Sequence, residues 1–140
     1  MYKIDNSYLT IEKLYKIINE QEPIELSKDA TLKILDCRSF LDQQSYNSSP
    51  IYGVNTGFGS LCNESISKEN LEELQVNLVI SHACGFGEEV PPPVVKLMLF
   101  LKIKSLSYGY SGVQLETVNR LIDFYNEDIL PVVYQQGSLG

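Results

Sequence analysis

The chain has 140 residues, 44% of them apolar and 21% charged, the balance of an ordinary globular protein with enough length for one modest core. Its formal charge of −7, with lysines and acids interspersed and no basic block, argues against a broad nucleic-acid surface, which needs clustered Lys and Arg. The longest apolar run, Val94 to Leu106, is broken by Lys96, Lys102 and Lys104 and is too short and too charged to span a bilayer. The start, Met1 to Asn6, is mixed and polar and shows no secretory signal. Cys37, Cys62 and Cys84 are widely spaced and accompany a single histidine, so no zinc site is expected within the chain. Each cysteine is read as a small, reduced core residue of a cytoplasmic protein.

In chain order, Thr10 caps a first helix with Ile11, Leu14, Tyr15 and Ile18 on one face, ended by Pro23. Ser27 caps a second, with Ala30, Ile34, Cys37 and Leu41 on one face, and Gln43 to Pro50 is polar and turn-rich. Ser67 caps a third, whose stripe of Leu71, Leu74 and Leu78 continues to Ser81 and His82 before Gly85 and Gly87 stop it. His82 therefore falls at a helix C-terminus, near the buried face. Pro91, Pro92 and Pro93 open a fourth helix, where a first turn tolerates proline. That helix is apolar nearly all round, which predicts burial in something larger than one small domain. A break at Ser107 to Gly112 precedes a fifth helix with Leu115, Val118, Ile122 and Tyr125, ending before Pro131. The tail from Val132 is extended, then glycine-rich. The class is mainly α, and the chain reads as part of a longer polypeptide or of a strong assembly.

Between the second and third helices lies Tyr52-Gly53-Val54-Asn55-Thr56-Gly57-Phe58-Gly59. Three glycines in eight residues disfavour both helix and strand and allow tight turns and close backbone approach. Two aromatics, an amide and a hydroxyl share the loop. Taken alone, the run reads equally well as a turn whose aromatics plug a core or as a functional loop. No Gly-Lys-Ser/Thr follows, so it is not a phosphate cradle.

This loop closely resembles the Tyr-Gly-x-Asn-Thr-Gly-Phe-Gly signature of the histidine and aromatic amino-acid ammonia-lyases. Four further stretches are similar to that family, in the same order. They are Gln75 to Gly85, Val94 to Met98, Leu101 to Val113, and Leu130 to Gly140. The resemblance covers essentially the whole chain and is weakest over the first forty-odd residues. It implies the N-terminal part of an L-aspartase/fumarase-like helical-bundle enzyme. Residues 1–140 would form a small helical N-terminal region with the Tyr52 loop and then the start of the central bundle.

In that family, a Gly-Ser-x-Gly such as Gly137-Ser138-Leu139-Gly140 is followed by Ala-Ser-Gly, which cyclises with loss of water into the electrophile methylidene-imidazolone (MIO). The chain ends at that boundary, and a polypeptide divided at the modified residue is expected rather than a random truncation. The reaction implied is elimination of ammonia from an α-amino acid, with no metal. Its difficulties are a weakly acidic β-proton and a poor amine leaving group, met by an electrophile and a positioned base. By resemblance Tyr52 is that base. A phenol ionises near pH 10 in water, so the role requires surroundings that favour phenolate. His82 resembles the residue that orients a substrate imidazole, since a neutral imidazole donates from one nitrogen and accepts at the other. Gly53, Asn55, Thr56, Gly57, Phe58 and Gly59 would shape the loop, and Gly137 to Gly140 would flank the MIO group.

Tyrosine-specific relatives tend to carry the histidine one place earlier, followed by Leu, where this chain has Ser81. The Ser81-His82-Ala83 order therefore implies L-histidine as substrate and trans-urocanate as product. The family further implies a homotetramer with shared active sites. An ammonia-lyase or aminomutase for tyrosine or phenylalanine is the nearest alternative. A non-catalytic helical assembly module is the alternative of another class.

Overall fold

The computed structural model describes residues 1–45, 51–57, 66 and 70–138. They divide into two compact units, Met1–Leu41 with Val90–Val133, and Asp42–Glu89 with Tyr134–Gly140. Helices dominate, as the apolar spacing predicts.

The first unit opens with a motif that the periodicity does not reveal. Strand β1 (Tyr2–Ile4) pairs in parallel with β2 (Ile24–Leu26), in the register Tyr2 to Ile24 and Ile4 to Leu26. Parallel neighbours need a crossover, and helix α1 (Ile11–Asn19) supplies it. Tyr2 and Ile4 point into the core while Lys3 faces out, 3.4 Å from Glu25. The first helix starts where its cap predicts, with the Lys13 N–H donating to Thr10 Oγ1 at 3.2 Å. Its buried face differs from the one expected. Ile17 is buried with Leu14 and Ile18 against it, whereas Ile11 and Tyr15 are exposed.

Helix α2 (Lys28–Ser45) is capped by Ser27, whose Oγ accepts from the Ala30 N–H at 3.1 Å. Ala30 and Ile34 are buried, Cys37 and Leu41 partly so. The helix continues through Gln43 to Ser45, beyond the turn expected from that polar stretch. Helix α4 (Pro92–Leu106) has prolines in its first turn and buries Val95, Phe100, Ile103 and Leu106. Val94, Met98 and Leu101 on the same helix stay exposed. Helix α5 (Leu115–Asn126) buries Val118, Ile122 and Tyr125, the stripe that the sequence predicts. Its Asn126 side chain accepts from the Ile24 N–H at 2.8 Å and donates to the Ile24 carbonyl at 3.0 Å, extending the sheet's hydrogen bonding to the helix end.

The core of this unit gathers Tyr2, Ile4, Ile17, Ile24, Ile34, Phe100, Ile103 and Tyr125. Burial raises the pKa of the Tyr2 and Tyr125 phenols, so both are kept protonated. Lys104, buried near the end of α4, donates from Nζ to the carbonyls of Asp5 and Ser7, pinning the turn after β1. Gly109 follows α4 with φ of +75°. A Cβ there would lie 2.7 Å from the Lys33 carbonyl oxygen, so the α4 turn packs directly on the backbone of α2.

The second unit contains α3 (Leu71–His82) and an antiparallel pair, β3 (Gly85–Glu89) with β4 (Tyr134–Gly137). Leu71, Leu74 and Leu78 are the partly covered stripe of α3, and no residue of that helix is fully buried. His82 is exposed, which corrects the expectation of a buried helix face. Gly85 and Gly87 belong to β3 and do not act only as helix stops. Cys84 is exposed instead of being a core residue. The expected Ser67 cap, together with Cys62, lies outside the described residues.

Candidate active site

The residues singled out by the sequence lie in the second unit. Tyr52 begins the turn that opens the glycine loop and is 63% exposed. The turn closes on Ile51, whose carbonyl accepts from the Val54 N–H at 3.0 Å and the Asn55 N–H at 3.2 Å. The Ile51 N–H donates in return to Asn55 Oδ1 at 2.6 Å. Asn55 and Thr56 are buried, and the Thr56 hydroxyl donates to the Gly57 carbonyl at 3.0 Å. Ile66 adds a donor to the Asn55 carbonyl at 2.9 Å. Gly53 has φ of +75°, which lets the chain reverse directly after Tyr52. The loop is thus anchored on its polar residues, while its tyrosine reaches outward. Phe58 and Gly59 lie outside the described residues.

Helix α3 ends at His82. Two residues on, Cys84 N–H donates to the His82 carbonyl at 2.8 Å, and β3 begins at Gly85. Gly85 pairs with Gly137 and Phe86 with Gln136. The register then shifts, and Glu89 pairs with Tyr134. The irregularity contains Gly87, at φ of +89°. Gly85 also runs under the Tyr134 ring, where a Cβ would collide. The strand pair therefore holds the segment ending at Gly137 and Ser138 against the residues that directly follow His82. Leu139 and Gly140 lie outside the described residues.

The His82 ring turns back on its own helix. Its Nδ1 lies 2.9 Å from the Leu78 carbonyl oxygen and 3.0 Å from Ser81 Oγ. The Ser81 hydroxyl donates to the same carbonyl at 2.9 Å. Sequence reasoning treats Ser81 only as a family marker and misses this contact. The signal for it is the spacing of four between Leu78 and His82, which lets a last-turn side chain reach a helix-end carbonyl. Among the described residues, no group of three or more His, Cys, Asp or Glu side chains could hold a metal. No helix among them is long and apolar enough to cross a membrane. The second unit thus carries an exposed tyrosine on a turn, an imidazole at a helix end, and a glycine-bearing strand paired with the residues that follow that helix; none of the hydrogen bonds above joins Tyr52 to His82.

Comparison with known proteins identifies the family. The family model described as aromatic amino acid lyase matches residues 9–140. A histidine ammonia-lyase from Deinococcus radiodurans is 45% identical over 94% of the chain and 25% of its own length. In structure, histidine ammonia-lyase from Trypanosoma cruzi is 34% identical with a TM-score of 0.81, over 97% of this chain and 27% of that one. Tyrosine aminomutase from Streptomyces globisporus is 28% identical with a TM-score of 0.89, over 98% of this chain and 26% of that one. The chain spans about a quarter of the length of the curated relatives it matches, 27% of one and 25% of another. With its mainly helical fold shared by these enzymes and its match from residue 9 to the last residue, the chain belongs to the aromatic amino acid lyase family.

Proposed function

We propose that this chain is the N-terminal portion of a histidine ammonia-lyase, which eliminates ammonia from L-histidine to give trans-urocanate and so opens histidine degradation. Tyr52 is the base that takes the β-proton, and His82 orients the imidazole ring. Gly137, Ser138, Leu139 and Gly140 lead into an Ala-Ser-Gly triad that forms the MIO group. That group, when present, supplies the electrophile that eases departure of the amine. The enzyme works in the cytoplasm as a homotetramer with shared active sites, without a metal, a membrane or a nucleic-acid partner.

The observation that carries this reading is the pairing of Gly85 with Gly137. It ties the segment expected to precede the electrophile to the residues after His82, the side chain suited to reading a ring. Tyr52 sits on a turn braced by Asn55 and Ile51, so its ring can be offered without the loop collapsing. Taking the proton requires a phenolate that reaches the substrate rather than a phenol sealed in a core, and Tyr2 and Tyr125, kept protonated by burial, illustrate the opposite environment.

A second reading, an aminomutase acting on tyrosine, draws support from the higher backbone similarity to the solved aminomutase. Sequence identity favours the lyase, at 34% against 28%. Substrate choice depends on side chains more than on backbone, so the identity supports the lyase reading. The full-length enzyme, assayed with histidine, tyrosine and phenylalanine, is expected to have its highest kcat/KM for histidine and to release urocanate. Preferential turnover of tyrosine, or formation of a β-amino acid, would contradict the proposal.

A further inference from the structure

The His82 ring has one nitrogen committed to its own helix. The Leu78 carbonyl oxygen, 2.9 Å from Nδ1, can only accept a hydrogen bond. A bare Nδ1 at that distance would set two lone pairs against each other. The Ser81 hydroxyl cannot relieve this, because it spends its hydrogen on the same carbonyl at 2.9 Å. Its oxygen, 3.0 Å from Nδ1, is left as a second acceptor. Both neighbours thus call for a proton on Nδ1. In the neutral ring Nε2 then carries none and is the ring's acceptor, on a residue that is exposed.

We infer that Leu78 and Ser81 hold His82 in its Nδ1–H tautomer, making Nε2 an acceptor that selects a substrate ring bearing an N–H or O–H donor. Ser81 is a positioning residue acting through His82. This deepens the histidine reading and rests on it for the substrate, since the histidine ring carries such a donor and phenylalanine carries none. A site built around a hydrogen bond discriminates strongly against a ring that leaves its acceptor unpaired.

Two substitutions separate the two nitrogens. Gln places an amide near the position of Nε2, and Asn places one near Nδ1. In the full-length enzyme, His82→Gln is expected to keep kcat/KM for histidine within about tenfold of the parent, while His82→Asn loses about a hundredfold, mostly in KM. Ser81→Ala is expected to raise KM several-fold with little change in kcat. The reverse order of Gln and Asn would overturn the inference, as would equal losses together with a silent Ser81→Ala. A readout independent of turnover is the solid-state ¹⁵N spectrum of histidine-labelled full-length enzyme, with the His82 signals identified by their loss in His82→Asn. Protonated Nδ1 and bare Nε2 support the assignment, and the opposite pattern refutes it. Protonated Nδ1 in an enzyme that does not turn over histidine would support the tautomer while overturning the substrate reading.

Discussion

Replacing Tyr52 with Phe is expected to lower kcat of the full-length enzyme by about two to four orders of magnitude, with KM for histidine nearly unchanged. The substitution removes one oxygen and keeps the ring. The loop should survive it, because the backbone of Ile51 and the buried Asn55 and Thr56 close the turn. Asn55 accepts from the Ile51 backbone at 2.6 Å, and Thr56 is buried one residue further on. A loss confined to kcat therefore reports proton transfer rather than misfolding, and an unchanged circular dichroism spectrum checks this. Activity within a few-fold of the parent would remove Tyr52 from the role of base.

Gly109→Ala is expected to destabilise the protein by about 3 kcal/mol, read as a lowered Tm in calorimetry. Two costs add. The residue sits at φ of +75°, where an L side chain is strained. The new Cβ would also stand 2.7 Å from the Lys33 carbonyl oxygen, which belongs to the backbone of α2 and cannot swing away. Gly109→Asn should recover part of the first cost, since Asn tolerates this conformation better, but none of the second. An alanine variant as stable as the parent would contradict the close approach of the α4 turn to α2.

Helices whose caps and stripes agree were legible in the sequence. Thr10 and Ser27 cap as their side chains predict, and α5 buries the stripe expected of it. The face of α1 was not legible, because its sequence carries two overlapping apolar faces through Leu14 and Ile18. Packing chooses the one with Ile17 and leaves Ile11 and Tyr15 outside. Strands β1 and β2 are three residues each, too short for alternation to register, and their pairing is between segments about twenty residues apart. Strand β3 hides behind Gly85 and Gly87, which disfavour strands on propensity and are admitted because the Tyr134 ring lies where a Gly85 Cβ would be and Gly87 takes φ of +89°. At the candidate site, the motif residues could be named from their order alone. The orientation of His82 was not legible, because the spacing of four from Leu78 permits the contact with Leu78 O but only the rotamer adopted makes it.

Intact mass spectrometry of the full-length polypeptide tests most directly whether an electrophile forms behind Gly140. A mass lower than the encoded value by two water molecules, restored when the serine of the expected triad is changed to alanine, is the predicted result. A mass equal to the encoded value, or a mature polypeptide of 15.8 kDa ending at Gly140, would contradict the proposed deamination.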